Sequence, residues 1–222
     1  MAKTIFGAVK DWLKESEEVV PLELRIYNPL NARIGDFFAV TGVLELLERN
    51  MKNLEIREIN AATITVGNQE FKHTDYLGYD GDNWVAVRVN PIQDASPQAV
   101  KQADVLILFP DWEGEYDENL HENVLPSGIL EVKDENGSVI ATYERLGGVK
   151  EPYKTKVEIV KDSKAQFPEI DHLSVWDFGR TSEDGVVEYY FVEMNEKTGW
   201  LQMFRGISIS DTSVMVVPVE HD

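Results

Sequence analysis

The sequence predicts an α+β, β-rich fold: mainly antiparallel sheets, arranged as a sandwich or an open barrel-like structure, with an N-terminal amphipathic helix and one or two further short helices. Three observations carry this. Short apolar or alternating segments are separated by Gly, Asn, Asp or Pro at roughly 8–12-residue spacing, the mark of strands joined by turns. Hydrophobic residues make up 43% and aromatics 10% of the 222 residues, which is the composition of a packed protein and not of a disordered one. Helical periodicity is clear in one place only, near the start.

That segment is residues 4–15. Ile5, Val9, Trp12 and Leu13 follow the i, i+4, i+7, i+8 pattern, with Lys3, Lys10 and Lys14 on the opposite face. Thr4 supplies a cap, and Glu15, Glu17, Glu18 and then Pro21 end the pattern. A helix this short needs a surface to pack on.

Strand signals dominate from Leu22 onward. Leu22–Ile26 precedes the Asn28-Pro29 turn, and Phe37–Val40 follows Gly35-Asp36. Leu44, Leu47 and Met51 keep a helical spacing over residues 42–51, which fits a short helix or, alternatively, a strand pair. Ile56–Ile59, Thr63–Val66 and Gln69–His73 alternate, with Gly67-Asn68 as a two-residue hairpin turn. Residues 84–89 form a strand after Asp80-Gly81-Asp82. Residues 96–103 read as a short helix with Ser96 as cap and Pro97 at its first position. Val105–Phe109 is continuously apolar, as in a strand buried on both faces. Residues 111–122 carry six acids and no base, and read as a long acidic loop.

Two hairpins stand out in the second half. Ile129–Lys133 and Ser138–Tyr143 flank Asn136-Gly137, and Val186–Met194 and Trp200–Phe204 flank residues 195–199. Between them lie the strands Lys156–Val160 and Leu173–Phe178, and Val214–Val219 closes the pattern. The organisation is therefore a helical segment 1–20, a β-rich subdomain 21–148, and residues 149–222, which either form a second β-rich subdomain or continue the first. Gly147-Gly148 marks the break.

Charge limits the function classes. The formal net charge is −19, and residues 1–57 are near neutral, with 8 Lys/Arg against 9 Asp/Glu. So acidic a body repels nucleic-acid phosphate, and no nucleic-acid partner is expected. The absence of cysteine excludes disulfides, thiolate metal sites and cysteine nucleophiles. No apolar run approaches the roughly 20 residues that span a bilayer. The default reading is a soluble cytoplasmic protein, with weak, reversible contact to an anionic inner-membrane surface through residues 3–14 as an added option.

No catalytic motif emerges. His73, His121, His172 and His221 fall in no metal-ligand spacing, though His73 and Asp75 share one side of a strand. Asp80, Asp82, Asp111, Glu113 and Glu115 are hard oxygen donors suited to a weak cation site, yet none completes a twelve-residue calcium loop. Nucleophile elbows and phosphate-binding glycine loops are missing. No cofactor is implied. Trp84, Trp176, Trp200, Tyr189, Phe191 and Phe204 sit in strand patterns as core residues. Trp112 and Tyr116, ringed by acids, fit a protein-contact site and local packing of the loop equally well; Ile5, Val9, Trp12 and Leu13 offer a second contact surface.

Short motifs resemble the YjfK-like family of bacterial proteins. They are Leu24-Arg-Ile with Arg33-Ile-Gly-Asp36, residues 79–85 (Tyr-Asp-Gly-Asp-Asn-Trp-Val), residues 188–192 (Glu-Tyr-Tyr-Phe-Val) and residues 204–209 (Phe-Arg-Gly-Ile-Ser-Ile). They cover under a third of the chain, and the insertion Asn28–Asn31 and the acidic stretch depart from the family. The resemblance implies a cytosolic protein that associates with proteins of the phage-shock membrane-stress type; it supplies no catalytic residues. The expected function is a non-enzymatic accessory or binding protein with a protein partner. Two alternatives stay open: a metal-dependent hydrolase built from scattered Asp, Glu and His, and an acidic mimic that inhibits a nucleic-acid-binding protein.

Overall fold

The structure, a computed structural model, describes residues 32–43, 53–80, 83–91, 103–148, 151–162, 164, 167–183, 185–209 and 213–219. Two four-stranded meanders build it. The first is β2 (Asn53–Val66), β3 (Gln69–Asp80), β4 (Asn83–Pro91) and β5 (Ala103–Gly114); the second is β8 (Tyr153–Val160), β9 (Glu169–Thr181), β10 (Val187–Asn195) and β11 (Leu201–Ile209). Their outer strands meet on both sides. β5 pairs β11, with Ile107 opposite Ile207, and β2 pairs β8, with Thr63 opposite Lys156. Every pairing is antiparallel, so the eight strands close into a barrel without a free edge.

Four strands lie outside the ring. β1 (Phe37–Val40) pairs the start of β2 and, on its other side, β12 (Val214–Val217). β6 (Ile129–Lys133) and β7 (Val139–Arg145) form a hairpin that joins the end of β9. The long strands β2 and β9 thus change neighbours along their length. β2 serves β1 up to Glu55 and β8 from Ile59 onward, and a register shift between Ile56 and Glu58 sits at the handover. Such a bulge bends a strand and lets it leave one sheet direction for another.

Period-two alternation explains how one wall serves two cores. On β4, Val85, Val87 and Val89 point outward and are wholly buried, while Ala86 and Arg88 point inward. The outer faces of the first meander pack with Phe38 and Val40 of β1 and Val214 and Val216 of β12. The second meander presents Trp176, Phe178, Tyr190, Val192 and Leu201 to Leu130, Ala141 and Tyr143 of the β6–β7 hairpin. Leu125 seals that core from a short helix, in which a π-helical turn (Leu120–Val124) passes into an α-helical turn (Leu125–Ser127). The Asp117 carboxylate accepts from the Leu120 amide at 2.7 Å to start it, and Gly128, at φ +77°, ends it.

These findings correct the expected fold class. Among the described residues the protein is a closed eight-stranded barrel with four flanking strands and one short helix, not an α+β arrangement of sandwich or open-barrel type. Most strands left a local pattern, although β2 read as two segments, Ile56–Ile59 and Thr63–Val66; closure depends on β2 meeting β8 across about a hundred residues, for which no local signal exists. The acidic stretch is corrected too: residues up to Gly114 belong to β5, and the short helix follows. The N-terminal helix, with Ile5, Val9, Trp12 and Leu13, and the strand at 22–26 lie outside the described residues. So do nearly all of the helices expected over 42–51 and 96–103; Ala103 itself opens β5. Strands from both sides of residue 149 share the closed sheet. Among the described residues, no helix is long and apolar enough to cross a membrane.

Candidate functional site

The barrel encloses a cavity of about 910 Å³. Its wall comes from all eight ring strands, because every second residue of each points inward. One part of the wall is apolar. Ala86, Leu106, Leu108, Phe191 and Phe204 form a cluster with Leu77, Trp84 and Tyr189 against it, and the Trp84 and Phe204 rings meet edge to face at 5.4 Å. Gly206 makes this closeness feasible, since a Cβ there would lie 3.0 Å from Leu108 and 3.1 Å from Phe191.

The other part is polar, and register explains its order. Asn60, Asp75, Arg88 and Leu106 are successive cross-strand partners on β2, β3, β4 and β5. The buried Arg88 guanidinium donates from Nε and Nη2 to the two oxygens of Asp75, at 2.8 and 2.7 Å. Nη2 also donates to Glu193 Oε1, from β10 across the lumen, at 3.1 Å. The Phe191 ring lies 4.5 Å from the guanidinium carbon, adding a cation–π contact. His73 stands next to this group, its Nε2 3.8 Å from Asp75.

Burial and pairing set the charges. Burial works against ionising Arg88, but Asp75 and Glu193 outweigh it and hold the guanidinium more firmly protonated than usual. Asp75 is likewise penalised by burial, yet Arg88 brings its pKa below the ordinary value. Glu193 goes the other way: burial, helped by nearby Asp75, raises its pKa against the pull of Arg88. Burial and then Arg88 push His73 down to about 4, so the imidazole is neutral at physiological pH. Two polar atoms on the cavity wall are buried without a hydrogen-bond partner, Asn60 Oδ1 and Thr155 Oγ1.

The residues singled out from sequence fall elsewhere or remain apart. Asp111 accepts a hydrogen bond from the Tyr190 hydroxyl on the outer side of the wall, and burial together with that carboxylate raises the Tyr190 pKa. Glu113 accepts from Gln202 at 3.3 Å, Glu115 is exposed, Asp80 ends β3, and Asp82 lies outside the described residues. No three His, Asp or Glu side chains gather as a metal-binding group among the described residues. Trp112 is 44% exposed and covers Gly114, where a Cβ would lie 2.6 Å from its ring. Tyr116 is exposed too, but it reaches back to His121, which meets Trp176 of the outer core edge to face.

Sequence reasoning passed over Arg88, Glu193, Asn60 and Thr155. A signal existed for the first two: a lone arginine among valines in residues 85–89, and a glutamate directly after the run Tyr189-Tyr-Phe-Val192. A charge on an otherwise apolar strand that is buried on both faces needs a partner. Comparison of the chain with family models, with curated proteins and with solved structures gave no match.

Proposed function

We propose that this protein is a non-enzymatic binding protein that takes one small molecule into the lumen of its barrel. The observation that carries the reading is the cavity of about 910 Å³, walled on one side by aromatic and aliphatic groups and on the other by a fixed polar cluster. Eight-stranded barrels have room for one small ligand, and binding cavities commonly measure about 300–1,000 Å³ with a mostly apolar lining and a few placed polar groups. The binding role expected from the sequence is kept, and its seat moves from an exposed surface to the lumen.

A neutral fluorescent probe, N-phenyl-1-naphthylamine, tests this. One probe per chain should bind with enhanced emission. Thr155→Trp and Ile64→Trp, which fill the cavity from two strands, should each abolish the signal while keeping a cooperative urea transition; Trp112→Ala should leave it unchanged. Loss of signal in Trp112→Ala with retention in both filled variants would place the probe on the surface and defeat the reading.

A further inference from the structure

We propose that the lumen selects an organic cation, an amine or ammonium group carried on an apolar or aromatic body; this rests on the lumen-binding reading above. Four observations point there.

The first is the balance of charge facing the cavity. Asp177 is answered by Arg145, and Glu58 has Lys161 at 4.0 Å. Setting those aside, Asp75, Asp104, Asp171 and Glu193 line the cavity with Arg88, and burial keeps His73 neutral. The surplus is negative, and a low-dielectric wall amplifies it.

The second is that two carboxylates already answer the charge of Arg88. Asp75 holds two of its N–H groups, Glu193 shares one, and Phe191 covers it at 4.5 Å. An anionic ligand would meet a cation whose charge is already balanced and, beside it, the Asp75 and Glu193 carboxylates that repel it. Glu193, by contrast, commits only Oε1 to Arg88 and keeps Oε2 for another donor.

The third is an acceptor left without a donor. The Asn60 amide nitrogen is turned to Glu58 at 3.0 Å, which leaves Oδ1 as the unpartnered end, and that atom only accepts. Thr155 is 4% exposed, lines the same cavity and has an unpartnered hydroxyl. A buried acceptor without a donor is costly, the Thr155 hydroxyl can accept as well as donate, and an ammonium supplies three N–H donors.

The fourth is the apolar part of the wall. Trp84, Phe204 and Tyr189 line the cavity with aromatic surface, which suits an apolar body and favours a cation over an anion.

A matched series tests the charge: 2-phenylethylamine, 2-phenylethanol and 3-phenylpropanoate, titrated calorimetrically into the full chain at neutral pH. The amine should bind at least about 10-fold more tightly than the alcohol, the gain expected of a desolvated charge-assisted hydrogen bond, and the carboxylate should bind weakest. Glu193→Gln and, on a different strand, Asp171→Asn should each reduce the ratio of amine to alcohol affinity, while Trp112→Ala, outside the lumen, should leave that ratio unchanged. Equal or tighter binding of the alcohol or carboxylate overturns the inference. So does capture of the neutral naphthylamine probe without capture of the amine, or an amine preference untouched in both variants. Failure of the naphthylamine and the amine alike overturns the underlying reading instead.

Discussion

Along β4, Val85, Val87 and Val89 enter a core with no polar member on that strand, while Trp84, Ala86, Arg88 and Asn90, one residue out of phase, line a cavity that mixes rings with charges. The outer side is closed by flanking strands and packed for stability alone. The inner side carries an ionised cluster that burial penalises, unsatisfied acceptors and open volume. Each of those is a cost that a barrel filled with side chains would avoid. The difference locates specificity on the inner face and folding energy on the outer one, and three measurements can break or sharpen that division.

The largest effect is expected from Arg88→Met. It leaves Asp75 and Glu193 buried without their cation, at a cost of about 3–5 kcal/mol in urea denaturation. The triple variant Arg88→Met, Asp75→Leu, Glu193→Met should recover most of that loss, because replacing a whole buried ionic group by apolar ones is often neutral or better. A triple variant no more stable than the single one would mean that the cluster itself holds the barrel together.

Next is the pH response of His73. Its pKa is about 4 in the folded chain against an ordinary 6.5, so between those values the unfolded chain binds a proton that the folded chain does not. Stability is therefore lost as pH falls from 6.5 towards 4, by about 3 kcal/mol at the lower end. Glu193, whose folded pKa is raised, has the opposite slope above its ordinary range, and Asp75, whose pKa is lowered, adds loss only at more acid pH. The urea midpoint of His73→Gln, followed across this window, should show a shallower acid limb than the parent; identical limbs would show that His73 is not the titrating group.

The smallest effect compares the two faces directly. Ile107 points into the outer core and Leu108 into the lumen cluster. Truncating Ile107 to Ala creates a new closed void and should cost about 2–5 kcal/mol, whereas Leu108→Ala enlarges a space that already exists and should cost about 1 kcal/mol less. Equal losses would show the inner wall to be packed as tightly as the outer.

Much of the local architecture was legible. Gly67-Asn68 and Asn136-Gly137 each mark a hairpin, and the unbroken apolar run Val105–Phe109 proved buried on both faces. The barrel was not legible, because Thr63 and Lys156 carry nothing in their own neighbourhoods that announces their pairing. The site escaped for the same reason: Asn60, Asp75, Arg88, Thr155 and Glu193 come from five strands. Abundant acids drew attention to residues 111–115, where hydrogen bonds from Tyr190 and Gln202 now account for two of them. The informative charges were the rare ones set among valines and aromatics.

The pairing of β2 with β8, of β5 with β11 and of β1 with β12 also has a temporal consequence. As the chain leaves the ribosome, the first meander is complete once residue 114 has emerged, yet both its edges stay bare until β8 and β11 follow, and Phe38 waits for Val216. Closure is consequently a late event of high contact order, in the slow range of milliseconds to seconds typical of such topologies. During that wait the Val- and Ile-rich strands present open edges of the kind that seed aggregation. Yield in the cell is then governed by the speed of synthesis and by chaperone supply as much as by the depth of the folded minimum.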